Sequence, residues 1–187
     1  MIILGIDPGT LVTGYGILEG DGNTCTAVHF DAVKNSASDP MPDRLKRIFD
    51  SLCGAIDRYH PDHLAIETAF YGKNAQSALK IGQARGVAIL AGVNYGIPIA
   101  EYSPREVKKA IVGNGAASKE QVQSMVKRML HLRQTPRMFD VSDALAVALC
   151  HHFRLTTQRL PREPKVGKYR DWKSFVEANP QRIVKTK

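Results

Sequence analysis

Gly20-Asp21-Gly22-Asn23 lies between two runs rich in strand formers, Thr13–Glu19 and Thr24–Val33. Glycine and asparagine tolerate the positive φ of a tight hairpin, so this segment predicts two antiparallel strands. A short apolar run, Met1–Asp7, precedes them and ends at the turn pair Pro8-Gly9. The chain therefore opens on an antiparallel three-strand unit. From Pro42 the period changes, with Leu45, Ile48, Phe49, Leu52 and Ile56 at helical spacing up to Tyr59. His63–Glu67 reads as a buried strand, Asn74 to Asn94 as a long helix and Ile97–Tyr102 as another strand. Helices are predicted over Pro104–Val112, Ser118–Leu130 and Asp140 to Phe153. Pro104 sits near a helix start, where its missing N–H costs nothing. The order predicts an α/β fold, a mixed five-stranded sheet with helices on both faces.

After Leu155 the periodicity stops. Pro161, Pro164, Gly167 and many charges predict a domain over 1–156 and a basic C-terminal tail over 157–187, partly disordered or docked through Trp172, Phe175 and Val176. No run approaches the ~20 apolar residues of a membrane-spanning helix, and no signal-peptide pattern is present. Cys25, Cys53 and Cys150 fit no zinc spacing and leave one thiol over in any pairing, which points to the cytoplasm.

The net charge is +8, unevenly spread. Residues 1–72 carry 5 Lys/Arg against 10 Asp/Glu, residues 73–137 carry 11 against 3, and residues 157–187 carry 9 against 3. A polyanion is the natural partner of the two basic segments, although many cytosolic proteins are modestly basic.

Four acids stand where solvated surface acids rarely stand. Asp7 and Glu67 each end an apolar strand, and Asp140 and Asp143 share one face of a helix whose next residues, Ala144–Cys150, are almost wholly apolar. A carboxylate at the rim of a core is costly unless paired or metal-bound. Four that converge cannot all stay ionised without cations, and such hard-oxygen ligands suit Mg²⁺ or Mn²⁺. Each also has a plain structural role open to it. Asp7 can accept N–H bonds in the Pro8-Gly9 turn, Glu67 can pair with an arginine, Asp140 can cap its helix, and Asp143 can be a first-turn acid favoured by the helix dipole.

Five stretches, in order, carry a resemblance: GIDPGTLVTGYG at 5–16, AIETAFYGKN at 65–74, SALKIGQARGVAILAG at 77–92, VKKAIVGNGAASKEQVQSMV at 107–126 and DVSDALAVALCH at 140–151. They resemble the RuvC family of Holliday-junction resolvases, collinearly from Met1 to about Phe153. The resemblance implies a ribonuclease-H-like fold, a homodimer, and paired Mg²⁺-dependent nicks on opposed strands of a four-way DNA junction during recombination and repair. It places the catalytic, metal-holding carboxylates on Asp7, Glu67, Asp140 and Asp143, with two ions per site, Mg²⁺ or Mn²⁺. It assigns DNA contacts to Phe70, which stacks into the opened junction, and to Lys108 and Lys119. A branch-migration complex of RuvA/RuvB type is the further partner it implies. Val141 and Ser142 replace the small residues more usual between the two aspartates, and the tail after Thr156 matches none of the motifs.

Other features stay open at this level. Lys109, Lys127 and Arg128 can track phosphates or be solvated helix charges. Ala78, Gly82 and Gly86 form a small-residue stripe that serves a twofold interface in the family reading, or packing within one chain. His151 and His152 read as helix-end residues. An actin-like phosphotransferase or ATPase shares the Asp-x-Gly-Thr-x-x-Thr pattern at Asp7–Thr13, but such enzymes repeat it in a second domain. A non-catalytic junction-binding architectural protein is the non-enzyme alternative; retention of all four carboxylates argues against it.

Overall fold

The centre of the sheet is β1 (Ile2–Asp7), flanked on one side by β2 (Val12–Asp21) and β3 (Thr24–Lys34) and on the other by β4 (His63–Glu67) and β5 (Ile99–Tyr102). The structure, a computed structural model, describes residues 1–22, 24–68, 75–159, 172–178 and 180. β1, β2 and β3 pair antiparallel, while β1, β4 and β5 run parallel, which makes the mixed five-stranded sheet that the element order predicts. The hairpin is tighter than its four-residue signal suggests. Asp21 still pairs with Thr24, and Gly22 takes a φ of 54°.

Side chains on alternate strand positions divide between two cores. Leu4, Ile6, Ile17, Leu64 and Ile66 pack against α1 (Met41–Tyr59) and α2 (Ala75–Asn94). Ile3, Leu18, Ala65 and Tyr102 pack on the other face against α3 (Pro104–Val112), α4 (Lys119–Met129) and α5 (Phe139–Arg159). α5 is the most buried helix. From Val141 to Cys150 every residue is buried except Asp143. It lies so close to the sheet that a Cβ at Gly5 would sit 2.2 Å from the Ala144 carbonyl oxygen, and one at Gly14 2.0 Å from that of Asp140. Glycine on β1 and β2 is what allows this approach.

α3 and α4 each begin with a capping box, Ser103 with Glu106 and Ser118 with Gln121, which satisfies first-turn N–H groups and sets both helix starts. α5 runs on to Arg159, past the expected end near Phe153. Nothing in Arg154–Arg159 breaks a helix, and Thr156 bonds its hydroxyl back to the His152 carbonyl. The chain divides into two compact units, Met1–Thr156 and Thr157–Lys187. The second contains the short helix α6 (Trp172–Ala178), with Phe175 and Val176 half-buried. The three cysteines are free thiols, and no helix among the described residues is long and apolar enough to cross a membrane.

Candidate active site

Asp7 and Glu67 leave neighbouring parallel strands one residue beyond the Ile6–Ile66 pair. The alternation that turns Ile3, Gly5 and Ala65 toward α5 turns both carboxylates to that same face. The close seat of α5 on Gly14 brings down its first two turns, and with them Asp140 and Asp143. Asp7, Glu67 and Asp143 thus line one cleft of about 260 Å³ together with Lys108 from α3 and Lys119 from α4. Pro8, Thr68, Ile81, Pro104, Val107 and Val122 complete its wall. Asp140 does not line this cleft, yet its charge acts on Asp7, Asp143 and Lys119. It lies in the first turn of α5, where the helix dipole favours an acid.

The electrostatics follow from burial and crowding. Asp7 is held well above the usual carboxylate range, first by burial and then by Glu67, Asp143 and Asp140. Glu67 is pushed up to about 7, again chiefly by burial and then by Asp143, with Lys119 opposing. Burial also raises Asp143, against the pull of Lys119. The Lys119 Nζ donates to Asp143 Oδ2 at 2.8 Å, and the Asp143 side chain is only 14% exposed. Burial disfavours the Lys119 charge, but Asp143, Asp7 and Asp140 together carry its pKa up.

The donor set fits a hard divalent cation: buried carboxylates, no thiol and no imidazole along the cleft. Among the described residues no three acidic, histidine or cysteine side chains already form a closed coordination shell. The Lys119 ammonium on Asp143 offsets part of the negative charge crowded there.

The other expected site residues fall differently. Phe70 lies outside the described residues, as do its neighbours over 69–74. His151 and His152 are not at a helix end. Both are buried in α5 two turns past Asp143, and neither lines the cleft. His151 Nδ1 meets the Tyr102 hydroxyl at 2.7 Å, and burial lowers the His151 pKa to about 4, so it is a neutral core group.

Two supports of the site were not among the expected site residues, although Thr13 closes the Asp7–Thr13 pattern. Thr13, fully buried, donates to the Gly9 carbonyl at 2.6 Å and closes the turn that follows Asp7. Gln123 on α4 donates from Nε2 to the Pro136 carbonyl and to Ser142 Oγ, both at 3.1 Å, which ties α4 to the start of α5. The unusual Ser142 between the two aspartates is one of its partners; a polar residue on the buried side of an apolar helix was the available clue.

The family model for the crossover junction endodeoxyribonuclease RuvC matches residues 3–151. A protein of that name from Chloroherpeton thalassium is 46% identical over 186 residues, covering 99% of this chain and 100% of its own length. That match runs through the tail, which the motifs alone left unmatched. Another from Geobacter metallireducens is 53% identical over 151 residues, 81% of this chain and 92% of its own. The solved structure of Thermus thermophilus RuvC in complex with Holliday junction substrate superposes with a TM-score of 0.80 at 34% identity, over 84% of this chain and 96% of that one. This chain belongs to the RuvC family of crossover junction endodeoxyribonucleases.

Proposed function

We propose that this chain resolves four-way DNA junctions by paired hydrolytic nicks, and that Asp7, Glu67, Asp140 and Asp143 are its metal-holding catalytic residues. The observation that carries this reading is the meeting of Asp7, Glu67 and Asp143, from two strands and a helix, in one cleft with two lysines. Family membership supports the same substrate. Asp7, Glu67 and Asp143 would hold Mg²⁺, or Mn²⁺, with Asp140 at the edge, and two ions match the number of carboxylates. Bound there, the cations would supply Lewis acidity at the scissile phosphate and make a water nucleophile acidic enough to act near neutral pH.

The chain's own groups do the rest. Asp7 and Glu67, once ionised, face the phosphate from the strand ends. Lys119 keeps the Asp143 carboxylate turned into the cleft and adds positive charge beside it. Lys108, on the opposite wall, faces an incoming phosphate oxygen. Apolar Ile81, Val107 and Val122 limit water around the carboxylates, so that charge interactions there are stronger than in bulk water. Phe70, three residues after Glu67, stacks on a base in the opened junction in this reading.

A homodimer is the assembly proposed, joined through α2. Leu79, Gly82, Gly86, Leu90 and Val93 lie on one face of that helix, and all five are exposed. Among the described residues a Cβ at Gly82 or Gly86 would meet nothing within 4 Å, which favours association over internal packing as the use of this stripe. A twofold pair of clefts suits a twofold-symmetric junction. The cytoplasm is the compartment proposed, and a RuvA/RuvB-type branch-migration complex the associated machine, as the sequence resemblance implies.

The test is to incubate the protein with a labelled four-way junction and Mg²⁺. Symmetric nicks on two opposed strands are expected, with duplex of the same sequence left intact. Tight binding without cuts at any divalent-ion concentration would instead make it a junction-binding architectural protein.

A further inference from the structure

The segment between α4 and α5 leads into the first turn of α5, which carries Asp140 and Asp143, as a held loop. Leu130 and Pro136 are buried, and Leu132 and Met138 are half-buried against the α3–α4–α5 core. Leu132 N–H closes onto the Lys127 carbonyl at 3.0 Å, and His131 takes a φ of 50° to let the chain turn. Gln123 Nε2 then fixes the far half of the loop, since it bonds both the Pro136 carbonyl and Ser142, the residue before Asp143. With the inward positions so occupied, Arg133, Gln134, Thr135 and Arg137 point outward, and all four are exposed.

Charge makes this loop unusual. From Lys127 to Phe139 there is no acidic residue, while Lys127, Arg128, Arg133 and Arg137 are all cationic. Among the described residues neither Arg133 nor Arg137 has an ion pair or hydrogen bond. Arg137 is three residues ahead of Asp140. A cleft of carboxylates repels a polyanion, so a strand that is to enter it needs cations at the flanks. Lys108 on α3 and Lys119 at the start of α4 supply two within the cleft, and the loop carries two more into the start of α5.

We propose that the Gln123-anchored loop over 130–138 is a second DNA-contact surface, in which Arg133 and Arg137 take backbone phosphates of the strand running past Asp140. Arginine suits the task because its fork can hold two phosphate oxygens at once. The anchoring matters because a loop already fixed loses little conformational freedom on binding. Contacts of this kind position the strand and carry no base information. The inference rests on the nuclease reading above.

The experiment measures junction affinity against salt in an Asp7→Asn background, so that nicking does not interfere. Each phosphate contact contributes roughly 0.9 to the slope of log affinity against log salt on duplex arms, so R133A/R137A should flatten the slope by about 1.8. R133K/R137K should keep the slope, since the charge remains. A control pair, K46A/R58A, removes the same charge from α1 on the opposite face of the sheet and should leave the slope nearly unchanged. An unchanged slope in R133A/R137A overturns the proposal, as does an equal fall in the control pair, which would mean diffuse net charge rather than a site. A fall in the lysine pair as large as in the alanine pair also overturns it, because the charges would then not be the cause. If the unsubstituted chain neither binds nor nicks the junction, the nuclease reading itself fails; if it nicks normally and only the slope test fails, the loop surface alone is lost.

Discussion

At the scale of single residues, the site is a problem of like charges in a small dry space. Asp7, Glu67 and Asp143 were each legible in the sequence as acids at the edge of apolar runs, but that they meet was not. It depends on strand register and on the seat of α5, which no local pattern states. Asp7→Asn removes one charge without changing side-chain volume. It should preserve folding and junction binding and lower cleavage by more than about a hundredfold, since a first ligand matters at least as much as the groups behind it. Loss of only a few-fold at saturating Mg²⁺ would remove Asp7 from the site. A second expectation comes from Glu67, whose pKa rises from an ordinary 4.5 to about 7. A carboxyl raised on folding stabilises the protein fully below its unfolded pKa, and that contribution is lost as pH climbs through the folded value. Metal-free protein should therefore lose this contribution between about pH 4.5 and 7. His151, lowered to about 4 from 6.5, works in the other direction, because below 6.5 the unfolded chain takes up a proton that the buried ring refuses until about pH 4, so its contribution is lost as pH falls. The two partly cancel, so the informative quantity is the rise in Tm on adding Mg²⁺. It should grow from pH 5 to pH 8, because on the proposed metal role only ionised carboxylates would hold the ion, and His151 lies outside the cleft. A Mg²⁺ effect on Tm independent of pH over that range would rule out Glu67 as a ligand.

At the scale of elements, the hairpin, the α1 period and the α3 and α4 starts could all be read locally, because turn chemistry, apolar spacing and capping residues are local properties. Two boundaries could not. α5 outruns its apolar stripe to Arg159 because helix continuation needs only the absence of a breaker, and Ile97 and Pro98 precede β5 because pairing starts where the Leu64 N–H reaches the Pro98 carbonyl, at 2.9 Å. The glycines of β1 and β2 also carried a message that periodicity alone hides, that a helix lies almost on the sheet. Gly14→Ala puts a methyl 2.0 Å from the Asp140 carbonyl oxygen, a backbone atom that cannot swing aside. Overpacking of this kind costs about 1–3 kcal/mol. Because the displaced atoms belong to the first turn of α5, metal affinity should fall as well as stability. Calorimetric Mn²⁺ titration checks this: G14A should bind Mn²⁺ several-fold more weakly, whereas Gly54→Ala on α1, with open space at its Cβ, should not. Equal affinities in the two variants would mean that α5 shifts without carrying the carboxylates.

At the scale of the whole molecule, charge and apolar surface divide the labour. The acidic cleft is walled by side chains of α3, α4 and α5, two lysines among them, while α2, packed on the other face of the sheet, presents an apolar stripe to solvent. Small residues four apart were visible in the sequence but ambiguous, since such a stripe serves internal packing as readily as association. Among the described residues the empty space over Gly82 and Gly86 and the exposure of Leu79 at 66%, Leu90 at 51% and Val93 at 58% favour the proposed association. Three large apolar side chains on one helix face, with glycines between them, let a second helix approach closely and bury what water now touches. Leu90→Glu with Val93→Glu would place two carboxylates on that face, and in a twofold pair each would meet its own counterpart across the axis. Their desolvation and mutual repulsion should oppose association strongly, while the folded chain, in which both positions are solvent-exposed, should keep its melting temperature within a few degrees. Sedimentation of the unsubstituted protein at micromolar concentration should give a dimer, and L90E/V93E a monomer. Loss of pairing has a further consequence at the junction. With one cleft per particle, nicks on opposed strands should arise independently, so singly nicked junctions should accumulate before resolved duplexes appear. If L90E/V93E remains a dimer and still cuts both strands together, the interface lies elsewhere and the α2 stripe serves another partner.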